Sequence, residues 1–358
     1  GVWIMAYTTI DDPSAFFQCT LYTGDGSTTH AITNGGNSDL QPDMVWIKDR
    51  GAANWHSITD VARGHSKAIF PNDTAAEDTS NAYVKAFNSD GFTLGSAGSD
   101  VNANTNTYVS WQWKAGTSFT NDASSTGIGS IDSAGSVNTD AGFSIMTYTG
   151  TGSNATIAHG LGVKPNIIIN KTRDTTAQMW SFYHSSLGAT KHLGLDRDNA
   201  VDTGAAYYQD TEPTSTVFSV GSESATNHDG AAMIAYCFAE KQGYSKFGSY
   251  TGNGNADGTF VYTGFRPAWI MRKNTNGGVT ESWIMQDNKR NTFNVADKWL
   301  EANASVAEDT AYQTDFLSNG FKMRSNNDGT NRSGTNYIYM AFAENPFVTS
   351  TGVPATAR

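Results

Sequence analysis

Tyr337-Ile338-Tyr339-Met340-Ala341-Phe342-Ala343-Glu344 is the stretch on which the reading of the chain turns. It is a dense apolar run with one charge at its end. The same phrase stands about a hundred residues earlier as Met233-Ile234-Ala235-Tyr236-Cys237-Phe238-Ala239-Glu240, and a worn copy stands at Tyr108-Val109-Ser110-Trp111-Gln112-Trp113-Lys114-Ala115. Each run is rich in residues that favour a buried strand. Each closes a segment, so the chain reads as one module used three times.

Working outward, each closing strand has an opening partner. Phe17 to Gly26, Phe143 to Gly152 and Phe247 to Gly254 each carry a Tyr-Thr-Gly-x-Gly ending, at Tyr22, Tyr148 and Tyr250. The paired glycines suit a tight turn. A second strand follows a proline each time, at Pro42, Pro165 and Pro267, and reaches a lysine six residues later at Lys48, Lys171 and Lys273. Proline is tolerated at a strand's first position. Apolar residues on consecutive positions there predict burial on both faces and a central place in a sheet. A tryptophan follows, at Trp55, Trp180 and Trp283, and its recurrence predicts packing rather than ligand contact.

The Tyr-to-Tyr spacings are 126 and 102 residues. That period is too long for a solenoid coil or a propeller blade and suits a sandwich of six to eight strands. The expected fold is all-β, with three tandem homologous antiparallel β-sandwich modules of lectin-like or jelly-roll-like form. The expected division is an N-terminal extension at 1–16, modules at 17–116, 143–240 and 246–345, a Ser/Thr/Gly-rich linker at 117–142 and a C-terminal tail at 346–358. The long first junction and short second one predict an asymmetric one-plus-two arrangement. Val295 to Ala307 is the best candidate for a helix. Met5 reads as a natural start, leaving Gly1-Val2-Trp3-Ile4 as an upstream extension or an artefact of gene assignment.

Bulk composition agrees with a β-rich chain. At 358 residues there is length for two or three domains, and 36 glycines with few charged residues (16%) favour turns and strands over helices. A formal net charge of −11 argues against nucleic acid and against an anionic membrane face. The longest apolar run, Ala231 to Ala239, is too short to span a bilayer. Cys19 and Cys237 sit in apolar strand patterns, which predicts two buried free thiols; a disulfide between repeats is the alternative.

Motifs that carry chemistry are few. The seven histidines are scattered singly, and no zinc-protease, nucleophile-elbow, phosphate-loop or dinucleotide motif is present. Glu240 and Glu344 recur, but the first copy has Ala115 there, so an end-of-strand charge is the expectation. Asp229 and Asp328 lie in Asn/Gly loops that could offer oxygens to Ca²⁺, although ordinary turn chemistry accounts for such loops and no cofactor is expected. Non-recurring loop aromatics are the better ligand candidates, and these are Tyr207, Tyr208 and Tyr312.

Met5 to Ser14 followed by Phe16-Phe17-Gln18, the turn at Tyr250 to Gly254, the loop His159-Gly160-Leu161-Gly162, the Phe-Ala-Glu closings and the ending Val353 to Arg358 together resemble a family. It is a family of repeat-containing virion structural proteins, tail-fibre-like or lectin-like, of marine and aquatic tailed bacteriophages. The resemblance implies a place on the virion, assembly in the bacterial cytoplasm, other virion proteins as partners and a homo-oligomer. It points to a non-enzymatic protein of a tail fibre or other exposed appendage that adheres to host-surface glycan through module loops. A capsid decoration protein, with three modules around a pseudo-threefold axis, is the alternative. A polysaccharide depolymerase is the third reading.

Overall fold

The computed structural model describes residues 7–80, 83–95, 98–175, 177–276 and 281–346. The expectations for residues 1–4 and for nearly all of the C-terminal tail lie outside them. The fold is all-β, built from several antiparallel sheets with sandwich-like layering. One four-strand order recurs three times. An opening strand (Phe17–Thr23, Phe143–Thr149, Ser245–Thr251) pairs with a closing strand (Thr107–Trp113, Ala232–Phe238, Asn336–Pro346). The closing strand pairs with the post-proline strand (Met44–Asp49, Ile167–Thr172, Phe265–Asn274). That strand pairs with a fourth (Ser57–Asp60, Ser181–His184, Ile284–Asp287).

The closing strands are apolar on both sides because both sides are core. Side chains alternate across a strand, and the alternation here is strict. Val109, Trp111 and Trp113, Ile234, Tyr236 and Phe238, and Ile338, Met340 and Phe342 all enter one shared core. Their neighbours Tyr108, then Met233, Ala235 and Cys237, then Tyr337, Tyr339 and Ala341 enter three separate outer cores, one per sheet. The post-proline strands divide likewise: Met44, Trp46, Ile167, Ile169, Trp269 and Met271 face the shared core, and Val45, Ile168 and Ile270 face outward.

At the centre, Trp113, Phe238 and Phe342 form a triangle with ring centroids 6.5, 5.9 and 5.6 Å apart. Each comes from a closing phrase. Phe17 and Phe143 stack beside Phe342 and Phe238 at 5.2 and 4.4 Å, and Phe247 lies 5.8 Å from Phe342. A void of about 20 Å³ on this axis, bounded by Trp46, Ile169 and Met271 among others, is about the size of one water molecule. The three sheets are therefore faces of one packed core.

Polar contacts close the ring in one rotational sense. Just before each fourth strand, one ring donates across a seam. Trp180 Nε1 reaches Phe70 O at 2.9 Å, Trp283 Nε1 reaches Gly194 O at 2.8 Å, and His56 Nε2 lies 2.9 Å from Glu301 O. At the other end of those strands, Tyr236 donates to Asp60 at 2.6 Å, Trp111 Nε1 donates to Asp287 at 3.2 Å, and His184 Nε2 lies 3.2 Å from Tyr339 O. Second sheet meets first, third meets second and first meets third, so the one-plus-two arrangement is corrected to a closed ring. His56, not Trp55, holds the recurring position; Trp55 is partly exposed and packs on Phe70 at 5.0 Å.

Other expectations are corrected by pairing. Residues 117–142 are not a linker: Thr117–Asn121 and Ser133–Asn138 add two strands to the edge of the second sheet beside Phe143–Thr149. Val295 to Ala307 is not a helix: Ala296–Glu301 is a strand paired to Ile284–Asp287, its Trp299 and Leu300 buried against neighbouring strands that override local helix preference. Both cysteines are free and buried, Cys19 in the shared core and Cys237 in an outer one.

Candidate functional site

Most buried ionisable groups are committed to holding the ring. The recurring lysines are buried and donate to carbonyls: Lys171 to Thr74 O and Lys273 to Asp198 O cross seams, whereas Lys48 donates to Asp49 O and Ala52 O within its own sheet. Burial pushes all three ammonium groups down to about 8. Arg63 pairs with Asp60 at 2.6 Å and shares Glu77 with Arg173 across the first seam. Arg290 pairs with Asp287 at 2.6 Å and shares Glu308 with Arg50 across the third-to-first seam. Thr275 stands where Arg50 and Arg173 stand in the other sheets, and among the described residues the second-to-third seam has no such ion triad.

The glutamates of the closing phrase are local pairs: Glu240 meets Lys246 at 2.5 Å and Glu344 meets Arg266 at 2.9 Å. Asp229 and Asp328 are exposed, and no group of three metal-ligating side chains occurs among the described residues. The polar work of those loops falls to three buried asparagines, Asn102, Asn227 and Asn331. Each accepts from the backbone just after the Tyr-Thr-Gly turn, at Asp25, Thr151 and Asn253, and donates to nearby carbonyls. Each lies six residues before Tyr108, Met233 or Tyr337 in its closing strand, a constant spacing that marks them in the sequence. The loop carbonyls come so close that a Cβ at Gly24, Gly150 or Gly252 would meet one at 2.1, 2.0 or 2.4 Å.

A candidate that joins a cavity to uncommitted polar groups lies on the second sheet's outer edge. Lys191–Gly194 extends the sheet beyond Ser181–His184, and Asp202–Thr203 pairs beyond it. Gly204 then caps a short helix, Ala205–Tyr208, which ends at Gln209 in the left-handed region. Consecutive helix residues face different ways, and this separates Tyr207 from Tyr208. Tyr208 is core: it is buried, and its hydroxyl meets Ser181 Oγ at 2.9 Å and Asn170 Oδ1 at 3.2 Å, which removes it as a ligand residue. Tyr207 is half-buried and stacks on His192 with centroids 3.4 Å apart and planes 18° off parallel. A Cβ at Gly204 would crowd the Tyr207 ring at 3.1 Å, so glycine admits the stack.

These residues border a cleft of about 260 Å³ whose walls include Met179, His192, Arg197, Asn199, Asp202 and Tyr207. The Arg197 side chain folds over Gly194, where a Cβ would meet it at 3.1 Å. Its Nε is 3.8 Å from Asp196, whose other oxygen already accepts from Trp180 N at 3.0 Å. His192 is buried and its Nδ1 has no partner among the described residues; burial pushes the imidazole below its usual range, with Asp202 opposing. A neutral ring, an aromatic face, a guanidinium and a carboxylate can together bind a small polyhydroxylated molecule.

Tyr312 is not in this cleft. It lies in the third sheet, edge-on to Trp299 at 4.6 Å. The two tyrosines nonetheless cover one register position. Leu193 pairs with Phe182 and Leu300 with Met285, so His192 and Trp299 correspond, and Trp299 Nε1 is likewise buried without a partner. In the first sheet Ile69 bridges to Ile58, which puts Ala68 at that position. His192, Arg197 and Asp202 were missed in the sequence because no motif marks them and none lies beside Tyr207 along the chain.

No curated protein matches the chain. Over residues 12–346 it matches the family described as DUF7483, a domain of unknown function, and the chain belongs to that family.

Proposed function

We propose that the protein is a non-enzymatic virion structural protein of an exposed appendage, which adheres to host-surface glycan through the outer edge of its sheets. The observation that carries the adhesive part is the cleft at Tyr207: an aromatic platform, held flat on His192, beside Arg197 and Asp202 on a sheet extension outside the shared core. The commitment of most other buried charges to the seams supports a rigid scaffold. The ordered motifs of the phage-family resemblance support a virion setting. Single sites of this size bind weakly, and repeated copies on one particle add through effective concentration.

The test is binding of the purified protein to an oligosaccharide panel and to host cells, with Tyr207→Ala as control, alongside antibody labelling of intact virions. Label on tails and Tyr207-dependent binding are expected. Absence of the chain from purified virions refutes the virion setting, and release of reducing ends from host polysaccharide refutes the non-enzymatic reading.

The closed ring favours a second reading, a decoration protein on a threefold position of an icosahedral shell, because three equivalent sheets surround one axis. In that case the chain is recovered with genome-filled heads stripped of tails, and its absence there removes this reading.

A further inference from the structure

We infer that the cleft beside Tyr207 takes one uncharged pyranose residue, presented at an end or branch of a glycan. The inference rests on the glycan reading and narrows it by size and by charge.

Size sets the first limit. About 260 Å³ falls below the ~300–1,000 Å³ of sites that enclose drug-sized ligands, so the cleft has room for a single sugar ring. Shape sets the second. Tyr207 has one face covered by His192 and its hydroxyl tethered to Met179 Sδ at 3.5 Å, so the ring is fixed before any ligand arrives. A fixed aromatic surface beside a thioether suits the C–H face of a pyranose, and preorganisation spares the cost of ordering the platform.

Charge sets the third. Arg197 is the cation of the cleft. The cleft walls carry this one guanidinium and one carboxylate, Asp202, and Asp196 behind them lies 3.8 Å from Arg197 Nε. The lining thus carries no net positive charge, so a uronate, sialate or sulfate group finds nothing there to repay its desolvation. Sugar hydroxyls both donate and accept. They can donate to Asp202, whose Oδ1 is engaged only by Thr203 N at 2.7 Å, and accept from Arg197. His192, whose buried Nδ1 has no partner among the described residues, belongs to the same wall.

The experiment is calorimetric titration of the whole protein with matched trisaccharides ending in glucose, galactose, mannose, glucuronate or sialate, each at low and high salt. At least one neutral sugar is expected to bind with little salt dependence, and the acidic ones more weakly. Tyr207→Ala should lower affinity by up to about tenfold, the loss of one stacking contact. Arg197→Gln and Asp202→Asn should each weaken binding, while Tyr207→Phe, which keeps the ring and guards against misfolding as an explanation, should retain it. Acidic sugars binding more tightly, with affinity falling steeply in salt, overturn the uncharged-sugar inference and leave the glycan reading standing. No binding by any saccharide overturns the glycan reading itself.

Discussion

Replacing Phe238 by alanine separates a shared core from three independent sandwiches. Phe238 is buried on the axis, stacked on Phe143 at 4.4 Å, with Phe342, Phe247 and Trp113 rings at 5.9, 6.2 and 6.5 Å. Truncating a buried phenylalanine costs about 3–5 kcal/mol through lost transfer energy and an unfilled cavity. The upper part of that range applies here, because the neighbouring rings belong to three sheets and are held by the seam bonds, so they cannot collapse inward. At about 1.3 °C per kcal/mol for a chain of 358 residues, the melting temperature should fall by roughly 6 °C. The assay is scanning calorimetry of wild type and Phe238→Ala. Tryptophan fluorescence follows the unfolding in parallel, since the first sheet holds Trp111 and Trp113, the second Trp180 and the third Trp269 and Trp283. One transition should move as a whole, and calorimetric and van't Hoff enthalpies should agree. If instead the trace splits and one component falls while the others stay at the wild-type temperature, each sheet is stable alone and the shared-core argument is wrong.

Three further outcomes follow from the seams and turns. The folded pKa of Lys48, Lys171 and Lys273 is lowered to about 8 from 10.5, so between pH 8 and 10.5 the unfolded chain binds more protons and stability rises with pH. Above pH 10 the buried tyrosines Tyr148, Tyr208 and Tyr244, whose burial raises their pKa, reverse the trend, so the urea midpoint should peak near pH 10 and Lys171→Met should flatten the rise. Glu308→Ala leaves Arg290 and Arg50 facing each other without their shared carboxylate and should cost about 3 kcal/mol by urea unfolding; an unchanged midpoint would show that the seam triad is dispensable. Asn227→Ala strips partners from Thr151 N, Ser153 O and Gly221 O and should cost about 2–4 kcal/mol, with faster amide exchange confined to the 150–154 turn; uniform exchange across the sheet would contradict a local clamp.

Strand identity was legible wherever a strand lies between two cores. The closing phrases and post-proline strands show continuous apolar runs because both faces are buried, and that signal needs no knowledge of partners. Edge strands were not legible. Thr117–Asn121 is largely exposed and spelled in Thr, Ser and Asn, the alphabet of loops, and only its pairing with Ser133–Asn138 makes it a strand. Ring closure was illegible for a related reason: the partners of Trp180, Trp283 and His56 lie 110, 89 and 245 residues away. The candidate site was half legible. Tyr207 and Tyr208 are adjacent and chemically alike, and nothing short of the orientation of a four-residue helix decides which faces the core.

The repeated and unrepeated parts of the chain divide the work. The four-strand order, the seam donors, the recurring lysines and the asparagine clamps fix the backbone of all three sheets to a common plan. At the register position held by Ala68, His192 and Trp299 that plan is kept while the side chain changes from a methyl to an imidazole to an indole. No strand pairing depends on which of them is present, so the position is free to vary. The two aromatic occupants each lie under a tyrosine, from a short helix in one sheet and from the strand Asp309–Leu317 in the other. Different local structures thus bring a second ring to the same place. A scaffold held by its seams can carry such variation at its edges without loss of the core. The cleft at Tyr207 arises at that boundary, where the shared plan stops determining the side chains.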